Sequence, residues 1–120
     1  MKTLMIVDDE EKICWFLSHF FEARGFRTVI AHSGYEAVDK LHVEAPDYLI
    51  LDLRMPDLSG FDVLKVAKER YPNLNVVVVT ACDDEATATT AFQLGASDFV
   101  TKPFGMNEQT WARAFFTADE

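Results

Sequence analysis

The residues whose side chains could most readily take part in binding or catalysis each follow a short apolar run of the sequence. They are Asp8, Asp9, Asp52, Thr80 and Lys102. Uninterrupted apolar runs are typical of strands that are buried on both faces of a parallel sheet, so these side chains would lie at the carboxyl ends of strands. In open α/β sheets, ligands bind beyond that edge. The spacing therefore predicts one functional site at this edge of a sheet.

The residue types in this set favour phosphoryl chemistry on a metal ion. Asp8, Asp9 and Asp52 would repel one another and raise one another's pKa values unless a cation lay between them. Oxygen ligands without histidine or thiolate favour Mg²⁺ or Mn²⁺. Asp52 could serve as the nucleophile of an in-line transfer, with the metal, Lys102 and Thr80 stabilising the charge on the equatorial oxygens. The set as a whole predicts a metal-dependent phosphoryl-transfer site.

Each of these residues also has a simpler explanation when it is taken alone. Asp8 and Asp9 could stabilise a helix N-terminus, Thr80 is a good strand residue, and a single Lys102 is most often a solvated surface charge. These separate explanations do not account for the occurrence of all five residues after four separate apolar runs. Their joint occurrence therefore favours the functional interpretation.

The elements that must position the site are predicted from the same apolar runs. Strands are expected at 4–7, 26–31, 48–51, 76–79 and 98–101. Five helices are expected. The first follows the acidic residues 8–11 and ends at Gly25, the second runs from Ser33 to before Pro46, and the third runs from about 60 to Tyr71-Pro72. The fourth runs from Asp83 or Asp84 to about 94, and the fifth from Asn107 to about Thr117. This alternation predicts one α/β domain over residues 1–120, a flavodoxin-like, doubly wound, five-stranded parallel sheet of order 2-1-3-4-5 with five helices.

Composition narrows the function classes further. The chain has 20 acidic against 11 basic residues and a formal charge of -9, which disfavours direct binding to nucleic acid or to anionic membranes. Cys14 and Cys82 have neither zinc-site nor redox spacing, and they predict reduced thiols in a cytoplasmic protein. No apolar segment approaches the roughly 18 residues of a membrane span. A protein that binds cations and basic partners fits this composition.

Over about residues 3–108, the chain resembles a receiver domain of a bacterial two-component response regulator. The motifs that carry the resemblance are Ile6-Val7-Asp8-Asp9-Glu10, Leu51-Asp52-Leu53-Arg54-Met55-Pro56-Asp57 with Ser59-Gly60, Val79-Thr80-Ala81, Gly95-Ala96-Ser97-Asp98-Phe99, and Lys102-Pro103-Phe104.

The resemblance implies a role for each residue of the site. Asp52 would accept a phosphoryl group from the phosphohistidine of a sensor histidine kinase or a phosphotransfer protein. Asp9 and Asp52 would ligate Mg²⁺ directly, Asp8 directly or through water, and the main-chain carbonyl of Arg54 would complete the protein's ligands. The domain would then catalyse only its own phosphorylation and dephosphorylation and would not be an enzyme acting on other substrates.

The resemblance also implies how phosphorylation becomes a signal. Thr80 would turn toward the phosphoryl group and Phe99 would rotate inward, which would change the surface of helix four, strand five and helix five and so control an output domain or a partner protein. The Lys102-Pro103 peptide bond would be cis. The fifth helix departs from the leucine-rich family pattern, so we expect a monomer or a weak dimer.

Two other protein classes use part of this residue set. A haloacid-dehalogenase-like phosphatase also combines an aspartate nucleophile, Mg²⁺, a hydroxyl and a lysine, but it places its acids in a D-x-D motif, whereas this chain reads Asp8-Asp9-Glu10. A flavodoxin-like nucleotide or flavin binder would have a glycine-rich or hydroxyl-rich first loop, and the acidic loop here would repel a phosphate.

Overall fold

Five short apolar segments form one parallel sheet in the computed structural model, which describes residues 1–81 and 84–102. The strands are β1 (Thr3–Val7), β2 (Arg27–Ala31), β3 (Tyr48–Asp52), β4 (Asn75–Thr80) and β5 (Asp98–Thr101). Their order in the sheet is β2-β1-β3-β4-β5, and every neighbouring pair is parallel. The predicted sheet and its strand order are thereby confirmed.

Four helices connect the strands within the described residues. They are α1 (Glu11–Glu22), α2 (Gly34–Glu44), α3 (Gly60–Arg70) and α4 (Glu85–Gln93). The side chains of Ser33, Ser59 and Asp84 cap α2, α3 and α4, since each accepts a hydrogen bond from a main-chain N–H in the first turn of its helix. The fifth helix, predicted from Asn107 to about Thr117, lies outside the described residues, as do Cys82, Asp83 and Pro103.

The sheet is buried on both faces, as its continuous apolar strands require. Alternate strand residues enter two separate clusters, because successive side chains point to opposite faces of a sheet. One cluster includes Leu49, Leu51, Val76 and Val78 and is covered by α2, α3 and Ala91 of α4. The other cluster includes Ile50 and Val79 and packs on Cys14, Leu17 and Phe21 of α1. No described helix is both long enough and apolar enough to cross a membrane.

Strand register brings the predicted site residues to one edge. Leu51 pairs with Val7, Asp52 pairs with Val79, and Thr80 pairs with Thr101. The strands are parallel, so Asp8, Asp52, Thr80 and Lys102 all follow at the same carboxyl edge of the sheet. The crossover point of the strand order falls between β1 and β3, where the first two of these residues lie.

The loop between β3 and α3, residues 53–59, folds back tightly on the end of β3. Gly60 N donates a hydrogen bond to Leu53 O at 3.1 Å. A Cβ atom placed on Gly60 would lie 2.4 Å from Leu53 Cα and 2.7 Å from Asp52 O. Both of these atoms belong to the backbone, so a side chain at residue 60 would displace the loop.

We therefore expect Gly60→Ala to lower the free energy of unfolding by about 1–3 kcal/mol, the usual cost of overpacking, and to shift the NMR signals of the 53–59 amides. Gly25→Ala is the control, because Gly25 has φ +91 and nothing lies within 4 Å of its added Cβ. It should destabilise through backbone strain of about 1–2 kcal/mol and leave the loop signals in place. Urea unfolding and amide spectra of both variants test this, and unperturbed loop signals in Gly60→Ala would contradict it.

Candidate functional site

Asp52 ends the central strand β3 and is only 4% exposed. Its Oδ1 accepts a hydrogen bond from Arg54 N at 3.1 Å, and its Oδ2 lies 3.4 Å from Lys102 Nζ. Burial raises the pKa of Asp52 to about 6, with a further increase from the charge of Asp8, while the Arg54 N–H and Lys102 oppose the increase. At neutral pH the Asp52 carboxyl group is thus mostly ionised, but it binds a proton more readily than an ordinary aspartate does, because its site largely excludes water.

Asp8 follows β1 and is 2% exposed, so a second carboxylate is buried at the same edge. Its Oδ1 accepts a hydrogen bond from Glu10 N at 2.9 Å, and its Oδ2 lies 2.9 Å from Lys102 Nζ. Burial raises the pKa of Asp8, although the Glu10 N–H and Lys102 act in the opposite direction. Asp8 and Asp52 therefore share one ammonium group.

Lys102 is the cation of this site. Its Nζ lies 2.9 Å from Asp8, 3.1 Å from Glu10 and 3.4 Å from Asp52, and its side chain is 12% exposed. Burial alone would lower the pKa of Lys102, but the hydrogen bonds and charges of its carboxylate partners outweigh burial and raise it. The backbone of Lys102 is also fixed, because its N–H donates to Thr80 O at 2.8 Å.

Asp9 and Glu10 extend the carboxylate cluster toward solvent. Potential ligand oxygens of Asp8, Asp9 and Glu10 all lie within 4.8 Å of one another. Asp52 is not part of that group among the described residues, and it is linked to Asp8 through Lys102 instead. The donor set contains only carboxylate oxygens, which fits a hard divalent cation such as Mg²⁺. Of the predicted metal ligands, Asp8 and Asp9 lie together, whereas Asp52 lies outside their group. That all three bind one metal ion stays a prediction.

A cavity of about 620 Å³ opens between Asp9 and the β3–α3 loop. Its lining consists of Asp9 and the loop residues 53–59. Arg54 is one of these residues, so the loop that carries its main-chain carbonyl faces the same space as the exposed Asp9. The role of that carbonyl as a metal ligand also stays a prediction.

Thr80 and Phe99 lie on one face of the sheet beside this site. Phe99 pairs with Val78, and Thr80 is two residues further along β4, so the two side chains project toward the helices on the same side. Thr80 is fully buried, whereas Phe99 is partly buried against the cluster that contains Val78. Their placement is compatible with the predicted coupling, and their movement stays a prediction.

The backbone of Asp8 is held by two side chains from neighbouring elements. Cys14 Sγ of α1 donates to Asp8 O at 3.3 Å, and His32 Nδ1, just after β2, lies 3.3 Å from the same oxygen. Burial, with a smaller effect of the Asp8 charge, raises the pKa of the Cys14 thiol to about 12, which keeps it protonated as a donor. The two contacts orient the turn that begins the acidic cluster.

Glu10 is the contact residue that the sequence interpretation did not single out. Glu10 belongs to the acidic run after β1, and its position three residues after Val7 gives no sign that its carboxylate reaches Lys102, 92 residues later. The structure brings Asp8, Asp52 and Lys102 together at the predicted edge of the sheet, and Thr80 O accepts a hydrogen bond from Lys102 N. The roles of these residues stay predictions. The Lys102-Pro103 bond, predicted to be cis, lies outside the described residues.

The comparisons with known proteins agree with this geometry. The family model for the response regulator receiver domain matches residues 4–112. The DNA-binding transcriptional regulator NtrC of Klebsiella pneumoniae is 40% identical over 103 residues, which is 86% of this chain and 22% of NtrC. The chain thus spans about a fifth of the length of that relative.

Two solved structures are similar over almost the whole chain. The BeF3-activated DrrB receiver domain has a TM-score of 0.90 at 29% identity and covers 100% of this chain and 99% of its own. A response regulator protein from Burkholderia pseudomallei, with a phosphorylated aspartic acid, calcium ion and citrate, has a TM-score of 0.89 at 26% identity. The match covers 99% of this chain and 69% of the Burkholderia chain. The chain therefore belongs to the response regulator receiver domain family, the phosphorylation-dependent signalling domains of two-component systems.

Proposed function

We propose that the chain is a phosphorylation-activated switch in which Asp52 receives a phosphoryl group from the phosphohistidine of a sensor histidine kinase or a phosphotransfer protein. The observation that carries this proposal is the setting of Asp52, a buried carboxylate at the end of the central strand that is paired with Lys102 and directly precedes the loop lining the cavity. The Burkholderia pseudomallei neighbour contains a phosphorylated aspartic acid, which supports the same chemistry here.

The transfer follows from the groups at this edge of the sheet. A carboxylate oxygen of Asp52 attacks phosphorus, an acyl phosphate bond forms, and the phosphorus–nitrogen bond to the donor imidazole breaks. The bond's electron pair leaves with the imidazole, which takes up a proton. Lys102 Nζ, 3.4 Å from Asp52 Oδ2, is placed to stabilise the negative charge on the transferred group.

Mg²⁺ is the proposed cofactor, with Mn²⁺ as a substitute. Asp8, Asp9, Asp52 and the Arg54 carbonyl would hold it, and when bound it would supply positive charge to the phosphoryl oxygens. Glu10 lies close enough to Asp8 and Asp9 to assist. Without a metal, Lys102 supplies the positive charge that the carboxylates share. We therefore expect the ion pair between Lys102 and Asp52 to weaken when a metal ion binds.

The signal is proposed to pass through Thr80 and Phe99 to the surface of α4, β5 and the predicted fifth helix, which lies outside the described residues. A phosphoryl group adds about 1.5–2 negative charges and strong acceptor oxygens, which attract the Thr80 hydroxyl. Movement of Thr80 would free space on the sheet face where Phe99 packs. A coupling of about 1–3 kcal/mol is enough to shift a two-state surface.

The output is proposed to belong to another domain or protein. NtrC is named as a DNA-binding transcriptional regulator, yet this chain spans only 22% of it, and a charge of -9 opposes direct DNA binding by the domain itself. We propose that the domain works in the cytoplasm as a monomer or weak dimer and controls such an output by contact.

The first prediction is that Asp52 is the single phosphoacceptor. With acetyl phosphate and Mg²⁺, the wild-type chain should gain the mass of one phosphoryl group, whereas Asp52→Asn should gain none because it lacks the nucleophilic oxygen. Asp39→Asn, which removes an exposed carboxylate on α2, should be labelled like wild type. Intact-mass spectrometry measures all three, and equal labelling of Asp52→Asn would refute the assignment.

The second prediction concerns stability against pH in the absence of divalent cations. The pKa of Asp52 is about 6 in the folded chain and roughly 3.9 when unfolded. Its contribution to stability is therefore complete below about pH 4 and is lost as the pH rises through about 6. Asp8, with a raised pKa, acts in the same direction. The stability gain of Asp52→Asn over wild type should consequently be about 2 kcal/mol larger near pH 7.5 than near pH 4.5.

Urea unfolding of wild type, Asp52→Asn and Asp39→Asn at both pH values measures this difference, in which the titrations of groups remote from Asp52 cancel. Asp39→Asn is the control for the loss of one carboxylate, because it removes an exposed side chain on α2 instead of a buried one at the site. An Asp52→Asn gain of equal size at the two pH values would show that burial of the Asp52 charge is not its origin.

The third prediction separates accepting the phosphoryl group from transmitting it. Lys102→Ala should slow labelling by acetyl phosphate by roughly 100-fold or more, because it removes a charge at the transferred group. Thr80→Ala should be labelled but should not shift the NMR signals around Phe99 when beryllofluoride is added. Thr101→Ala, the exposed register partner of Thr80, is the matched control and should respond like wild type. A wild-type response in Thr80→Ala would show that the hydroxyl is not the coupling element.

A further inference from the structure

One carboxylate fastens the loop beside Asp52 to a neighbouring helix. Asp57 Oδ1 accepts a hydrogen bond from Gly34 N at 3.0 Å, and Asp57 Oδ2 accepts one from Tyr35 N at 3.0 Å. These N–H groups belong to the first turn of α2, where a helix has no internal partners for its donors. The contact joins residues that are 22 and 23 positions apart in the sequence.

The loop and the helix are also in close steric contact at this point. A Cβ atom on Gly34 would lie 2.5 Å from Leu58 Cβ and 3.1 Å from Leu58 O, so the loop packs directly on the glycine. The Tyr35 N–H and, to a smaller extent, the Gly34 N–H lower the pKa of Asp57, which favours the ionised form that accepts both hydrogen bonds. The two-oxygen contact fixes both the distance and the orientation of the loop.

The first turn of α2 does not depend on Asp57 alone. Ser33 Oγ accepts a hydrogen bond from Glu36 N at 3.1 Å, so the helix has its own N-cap. Asp57 lies in another element and satisfies two further donors. Its contact is therefore suited to holding the loop as well as to capping the start of the helix.

Residues 53–59 are held at three points along their length. Near the start, Arg54 N donates to Asp52 Oδ1, and at the end Gly60 N donates to Leu53 O. Asp57 fastens the middle to α2. The same loop residues, together with Asp9, line the 620 Å³ cavity. A shift of the middle of the loop would thus change the cavity next to the phosphoacceptor.

We propose that Asp57 is a positioning residue for the phosphoryl site, because its carboxylate holds the loop against α2 and thereby fixes the Arg54 carbonyl relative to Asp9 and Asp52. This inference rests on the proposed function, since it concerns the ligands of the proposed Mg²⁺ site. A small divalent cation requires its oxygen ligands in defined positions. Residues that orient such ligands commonly alter metal affinity by about 10–100-fold.

The test compares two variants that both weaken the start of α2. Asp57→Ala removes the helix contact and releases the loop, whereas Ser33→Ala removes the helix's own cap and leaves the loop contact intact. Asp57→Asn retains one acceptor oxygen and serves as the conservative variant. For each chain we would measure the Mg²⁺ dissociation constant by NMR titration of the Asp9 and Arg54 amides, stability by urea unfolding, and the acetyl phosphate labelling rate at saturating Mg²⁺.

Asp57→Ala should raise the Mg²⁺ dissociation constant about 10-fold or more and should slow labelling even at saturating metal. Ser33→Ala should lose stability with an unchanged dissociation constant, and Asp57→Asn should give an intermediate value. An unchanged constant in Asp57→Ala would overturn the inference, and so would an equal increase in Asp57→Ala and Ser33→Ala, because Asp57 would then act only as a cap. If Asp57→Ala does not fold, the comparison of Asp57→Asn with Ser33→Ala decides the question by the same criteria.

Failure of the proposed function would look different. Wild type would then neither bind Mg²⁺ nor be labelled at Asp52, and the inference about Asp57 would fall with it. Failure of the inference alone leaves wild-type binding and labelling intact and shows only in the Asp57 variants.

Discussion

The burial of two carboxylates around one ammonium group is the constraint on which this structure depends. Asp8 and Asp52 are almost fully buried, and Lys102 Nζ lies 2.9 Å and 3.4 Å from them. Removing an ionised group from water costs several kcal/mol, and a partner charge repays it only when the geometry is good. The pKa values of both carboxyl groups remain raised despite Lys102, so one lysine does not fully offset their burial. The site retains an affinity for further positive charge, either a proton or a cation.

The sheet makes this arrangement possible, because its two apolar faces hold the strand ends in register. Asp52 pairs with Val79 and Thr80 pairs with Thr101, so β3, β4 and β5 end at neighbouring positions. The hydrophobic strands bring no charge of their own, and the charged residues follow only where the strands end. An ammonium group that arrives after β5 can therefore reach a carboxylate that follows β1, although β3 and β4 lie between them.

Sequence alone predicted the fold and most of this site, because apolar runs and caps are local signals. The ends of the runs located Asp52, Thr80 and Lys102, and the helices α2 and α4 begin after Ser33 and Asp84, where the sequence predicted helix starts. Contacts between distant segments were not predictable in the same way.

The pattern of apolar residues could not predict that Asp8 and Asp9, which are adjacent in the chain, have different environments. Asp8 is buried and paired with Lys102, whereas Asp9 is exposed at the cavity. Nothing local in the sequence signalled that Asp57 would accept hydrogen bonds from the start of α2, or that Glu10 would reach Lys102, because each contact depends on how whole elements pack. The direction of each side chain at a strand end is likewise set by the turn that follows it, which a pattern of apolar residues does not encode.

If Asp52 is phosphorylated as proposed, the same charge balance gives that change a route to neighbouring strands. Lys102 is shared by three carboxylates, and its backbone N–H is bound to Thr80 O, so the ammonium group and the end of β4 are mechanically linked. A phosphoryl group would replace a carboxylate that carries at most one charge with about 1.5–2 negative charges. Lys102 would then be drawn from Asp8 and Glu10 toward Asp52, and the strain of that move would fall on the Thr80–Lys102 connection between β4 and β5. The surface next to the ends of β4 and β5 would therefore respond most directly to the charge on Asp52.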